Sequence, residues 1–74
     1  MENMIHAGKL IRKVLDEQGR TVVWFAKQLS YTRTNVYKIF EKKSIDTDVL
    51  FRISRLLQYD FFKHFSNDVE KNND

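Results

Sequence analysis

The sequence predicts an all-α protein of five short helices, and three observations carry that reading. The chain has no proline and only two glycines, so little breaks it into strands and turns. No stretch alternates apolar and polar residues with a period of two for long. Apolar residues instead recur every three or four positions, in blocks that after the first open on Thr or Asp, residues suited to capping a helix.

The spacing of Ala7, Leu10, Ile11, Val14 and Leu15 predicts a first helix from about Ile5 to Gln18. Gly19 then supplies the left-handed residue that commonly ends a helix. Thr21 is the expected N-cap of the second, with Val22, Phe25, Ala26 and Leu29 facing inward. Thr32 caps a third with Val36, Ile39 and Phe40 inward. Thr47 or Asp46 caps a fourth, which carries Val49, Leu50, Ile53, Leu56 and Leu57. Asp60 opens a short fifth through Phe61, Phe62 and Phe65. The folded domain is therefore expected over residues 1–66, with a polar, acidic tail, 67–74, that frays.

A chain of 74 residues forms one small domain. It has no cysteine, so neither a disulfide nor a thiolate metal site supplements its core. That core must be apolar, and six Phe, three Tyr and Trp24 supply the bulk. No run approaches the roughly 20 apolar residues of a membrane span. Met1-Glu2-Asn3-Met4 has neither the basic region nor the apolar stretch of a signal peptide, and the expected location is cytoplasmic. The net charge of +3 is unevenly distributed. Bases concentrate between Arg20 and Arg55, while the segment after Leu56 is net acidic. That pattern fits a polyanionic partner.

Between Leu29 and Thr32 only Ser30 and Tyr31 remain to make a turn. Two short helices so tightly joined cross steeply, as in a helix-turn-helix. On the third helix, Thr32-Arg33-Thr34-Asn35-Val36-Tyr37-Lys38-Ile39-Phe40, the apolar residues share one face, and Arg33, Thr34, Tyr37 and Lys38 share the other. This set suits a DNA-reading helix. Arginine can bond guanine O6 and N7 as a bidentate fork, and a threonine methyl can meet the thymine methyl. Asn35 can bond adenine or phosphate, and the helix N-terminus favours an anion. Lys42 and Lys43 follow in the loop, suited to the phosphate backbone.

These residues resemble the lambda-repressor/Cro-like helix-turn-helix family over most of the chain, from about Leu10 to Phe65. Thr21 to Ile39 is similar to its helix-turn-helix core, with Phe25, Ala26, Leu29, Val36 and Ile39 at the apolar positions. Leu50 to Leu57 is similar to its fourth helix, and Gln58 to Ser66 resembles a subgroup of short regulators common in Bacteroidetes. The resemblance implies a five-helix DNA-binding domain and a transcriptional regulator of double-stranded DNA. It implies base contacts from Arg33, Thr34 and Lys38, and phosphate contacts from Thr32, Asn35, Tyr37, Lys42 and Lys43. Some positions depart from the family pattern. Ser30 and Lys42 stand where many relatives have glycine, and left-handed backbone there would cost of order 1 kcal/mol each. Leu15 and Phe40 stand where many relatives pair arginine with glutamate, and an apolar contact is a sound replacement for a buried ion pair. Val22, Val23 and Trp24 replace polar residues, which removes a side-chain phosphate contact at the head of the second helix.

No motif indicates catalysis. His6 and His64 lie at opposite ends with no spaced partner ligands, no serine has a neighbouring base, and no glycine-rich phosphate loop is present. Neither cofactor, metal nor small-molecule ligand is expected, and the chain does not read as an enzyme. Phe51, Tyr59, Phe61, Phe62 and Phe65 are more aromatics than so small a domain readily buries. They are expected to form the surface of a homodimer. The rival reading is a protein-interaction module that docks a different protein through the same aromatic end.

Overall fold

A computed structural model describes the backbone of residues 5–71 and the side chains of residues 5–66. The described residues form five α-helices and no strand: α1 Ala7–Glu17, α2 Val22–Leu29, α3 Arg33–Glu41, α4 Thr47–Leu57 and α5 Phe62–Lys71. Met1–Met4, on which the leader expectation rests, and Asn72–Asp74 of the expected tail lie outside the described residues.

Local hydrogen bonds fix the helix starts. The imidazole of His6 accepts from the Lys9 amide at the head of α1, at 3.1 Å. Thr21 Oγ1 accepts from the Trp24 amide at 3.0 Å, and Thr32 Oγ1 from the Asn35 amide at 3.1 Å. Each threonine thus satisfies one of the amides that a helix start leaves without an internal partner. Asp46 takes the N-cap position of α4 without a side-chain hydrogen bond, so Thr47 is the first helical residue rather than the cap. Asp60 Oδ1 accepts from the Phe62 amide at 3.0 Å and turns the chain into α5.

The helix ends are less uniform. Gly19 follows α1 at φ +71, as expected, but α2 and α4 end on left-handed residues that are not glycine, Ser30 at φ 60 and Gln58 at φ 52. Lys42, the other position where glycine was anticipated, is extended at φ −82 and carries no such strain. The family-like expectation for these two positions therefore divides, strained at Ser30 and relaxed at Lys42. α5 also runs past Ser66 to Lys71, so the backbone of residues 67–71 is helical where a frayed tail was expected. The reason is pattern: Phe62, Phe65 and Val69 keep helical spacing, and neither glycine nor proline interrupts it.

α3 packs against both α1 and α2. Ile11, Leu15, Phe25, Val36, Ile53 and Phe61 are fully buried at the centre of the core, which α1 to α4 and the turn before α5 supply, with Phe62 and Phe65 of α5 packed against it. A buried side chain of this size stabilises by about 1.5–3 kcal/mol relative to exposure. The Phe25 and Phe40 rings stack with planes 5° apart and centroids 6.3 Å apart. Leu15 and Phe40 both join this cluster, the apolar substitute expected for an ion pair. The guanidinium of Arg12 lies 5.0 Å from the centre of the Phe40 ring and so covers its outer side with an aromatic–cation contact.

Two polar clamps join the ends of helices. Gln18 Nε2 donates to the Leu57 carbonyl at 2.8 Å and tethers the end of α4 to the end of α1. An Arg52 guanidinium nitrogen on α4 donates to the Leu29 carbonyl at 3.3 Å, at the C-terminal end of α2.

Candidate nucleic-acid interface

The turn before α3 occupies Ser30, Tyr31 and Thr32, and it is held from both sides. The Tyr31 amide donates to the Ala26 carbonyl at 2.9 Å, and the Ser30 amide to Lys27 at 3.2 Å, which closes the end of α2. Arg52 bonds Leu29 and also lies 5.9 Å from the centre of the Tyr31 ring. Neither its length nor its charge marked Arg52 as a clamp in the sequence; its partner is a carbonyl distant along the chain.

From this turn α3 projects with its apolar residues Val36, Ile39 and Phe40 buried and its other face in solvent. Arg33, Thr34 and Lys38, the residues expected to meet bases, are all exposed. So are Thr32, Asn35, Tyr37, Lys42 and Lys43, expected at phosphates. The Thr32 oxygen already accepts the Asn35 amide, which leaves its hydroxyl proton available to an anion. Tyr37 keeps 47% of its surface in solvent while its ring meets Phe40 edge-on. Among the described residues the one ion pair is Arg12–Asp16, at 3.7 Å, so no acidic side chain neutralises Arg33, Lys38, Lys42 or Lys43 there.

The lysine loop is anchored through its backbone. The amides of Ala7 and Gly8, at the head of α1, donate to the carbonyls of Lys43 and Lys42 at 3.0 and 2.9 Å. This leaves both lysine side chains outside. Beside α3 a groove of about 270 Å³ is lined by Asn35, Lys38 and Lys42 together with Ser44, Ile45 and Asp46. The basic face therefore continues from the helix into the loop. A further cation stands at the head of α2, where the Arg20 guanidinium lies 4.2 Å from the centre of the Trp24 ring. Arg20 was not singled out among the expected contacts, because its sequence neighbours carry no sign of the stacking that orients it.

The aromatic surface needs correction. Phe61 is fully buried and belongs to the core of the single chain, so it is not available to a partner. The turn at Asp60 directs it inward, against the helices it closes. Tyr59, Phe62 and Phe65 are half-buried and pack against that core, whereas Phe51 is 55% exposed. Of the five aromatics expected at a dimer surface, Phe51 alone stands clear.

Comparison with family models, with curated proteins and with solved structures gives no match for this chain. Among the described residues no helix is long and apolar enough to cross a membrane.

Proposed function

We propose that this chain is a lambda-repressor-like helix-turn-helix domain that binds double-stranded DNA sequence-specifically as a cytoplasmic transcriptional regulator, acting as a homodimer. α3 is the recognition helix and lies in the major groove. Arg33, Thr34 and Lys38 read base edges, and Thr32, Asn35, Tyr37, Lys42 and Lys43 hold the phosphates.

One observation carries the reading. α3 buries a narrow apolar face on α1 and α2 and leaves a contiguous polar and basic face exposed, continued by the lysine loop and unpaired with any described acid. A stability role alone gives no reason to place those cations together. The short clamped turn supports it further, because a recognition helix must be held rigidly to read bases. The dimer follows from footprint. A single short helix covers a few base pairs, which rarely discriminates against a genome of competing sites. Two copies related by a two-fold axis would set their helices about 34 Å apart in successive major grooves.

Selection of bound duplexes from a random pool tests this directly. The expected outcome is a recurrent site with two-fold symmetry. A pool that shows no enrichment, together with no mobility shift on random duplex at low salt, would overturn the proposal.

A further inference from the structure

We infer that α4 is the dimer contact, packing antiparallel on α4 of a second copy about a two-fold axis that passes between Phe51 and Arg52. The inference rests on the dimeric part of the proposed function, not on its DNA contacts. At about 100° per residue along a helix, Asp48, Phe51, Arg52 and Arg55 form one stripe. It lies opposite Leu50, Ile53 and Leu57, which are buried. All four stripe residues are exposed. An apolar side chain therefore sits at the middle of the solvent face, where an amphipathic helix normally carries a polar one.

The stripe is complementary to its own reverse. Laid antiparallel about that axis, Asp48 of each copy meets Arg55 of the other, and the Phe51 rings of the two copies meet beside the axis, while Arg52 stays on the Leu29 carbonyl of its own chain. A parallel arrangement would instead set Asp48 against Asp48 and Arg55 against Arg55. The charge order thus selects the two-fold, antiparallel pairing. Phe51 already has the Arg55 guanidinium 5.9 Å from its ring centre in its own chain. A second copy would bring its own Phe51 to the open side, so each ring would be covered by Arg55 of its own chain and by the facing ring. Beside Phe51 a shallow hollow of about 390 Å³ is lined by Gln28, Leu29, Arg52, Arg55 and Leu56.

Size sets the strength. Eleven residues of α4 make a rod of roughly 16 Å at 1.5 Å per residue. A contact of that length falls short of the roughly 800 Å² per partner of a stable interface. The dimer is accordingly weak in isolation and strengthened when two half-sites on one duplex hold the copies together.

Charge exchange tests it on the full chain without DNA. In sedimentation equilibrium at up to about 1 mM, a range suited to weak contacts, the unaltered protein should self-associate. Phe51→Ala should weaken association about tenfold or more. Asp48→Arg and Arg55→Asp, each alone, should be monomeric, because like charges then face each other at both crossings. An equimolar mixture of those two variants should associate again, since each copy supplies the charge the other lacks. A monomeric unaltered protein at 1 mM, association insensitive to the single exchanges, or a mixture that stays monomeric would each overturn the inference. Helical circular dichroism confirms that the variants fold. Low-salt binding of the same variants to random duplex provides a separate readout, so failure of this contact and failure of DNA binding are distinguishable.

Discussion

Gly8, in the first turn of α1, donates its backbone amide to the carbonyl of Lys42 at 2.9 Å, and so fastens the chain leaving α3 to the start of α1. The approach requires glycine. A Cβ at this position would collide with the carbonyl oxygens of Ile39 and Phe40, which are backbone atoms and cannot turn aside. Gly8→Ala is therefore expected to lower stability by about 1–3 kcal/mol through overpacking. At about 4–8 °C per kcal/mol for a domain of this size, thermal unfolding resolves the loss. An unchanged midpoint would mean that α1 does not lie against the end of α3.

Ser30 and Lys42 make opposite predictions for the same substitution. Ser30 holds left-handed backbone at φ 60, and glycine relieves that strain. Ser30→Gly should raise stability by about 0.5–1 kcal/mol, after allowance for the greater freedom of glycine in the unfolded chain. Lys42 is extended, so Lys42→Gly gains nothing in the fold and should cost about 0.5–1 kcal/mol by that same entropy. Denaturant unfolding of the two variants checks the signs; a shared sign would contradict the backbone described for one of them.

Much of the fold was legible because its signals are local. Thr21 and Thr32 cap the helices predicted from them, and Gly19 is left-handed. The inward residues of all four longer apolar stripes follow from spacing alone. What escaped depends on distant neighbours. Nothing near Gly8 in the chain shows that Ile39 and Phe40 press on it. Arg52 and Gln18 read as ordinary surface residues until their partners, Leu29 and Leu57, come close. Phe61 and Phe51 are alike in composition, yet one closes the core and the other stands in water. Spacing alone puts Phe51 outside the inward stripe of α4, but Phe61 sits just before α5, and Gln58, left-handed without being glycine, hides where that helix starts. The α3 face was legible as a set of exposed residues, whereas the support beneath it was not.

The electrostatic prediction concerns salt. If Arg33, Lys38, Lys42, Lys43 and the helix amides contact DNA, roughly 3–6 counterions leave per protomer, and log affinity falls with log salt at about −0.9 per phosphate contacted. Lys43→Ala should weaken preferred and random duplexes alike and reduce the slope by about one unit. Fluorescence anisotropy across a salt series measures both quantities. A flat response would remove the phosphate contacts from the account.

The most direct test of the central claim, that α3 reads base sequence, is the affinity of Arg33→Ala for the preferred site and for random duplex, measured side by side at one salt concentration. The expected result is a loss of about 1–3 kcal/mol on the preferred site, with relaxed choice at one base position and little change on random DNA. An equal loss on both duplexes would make Arg33 a phosphate anchor, and no loss on either would contradict the placement of α3 in the major groove.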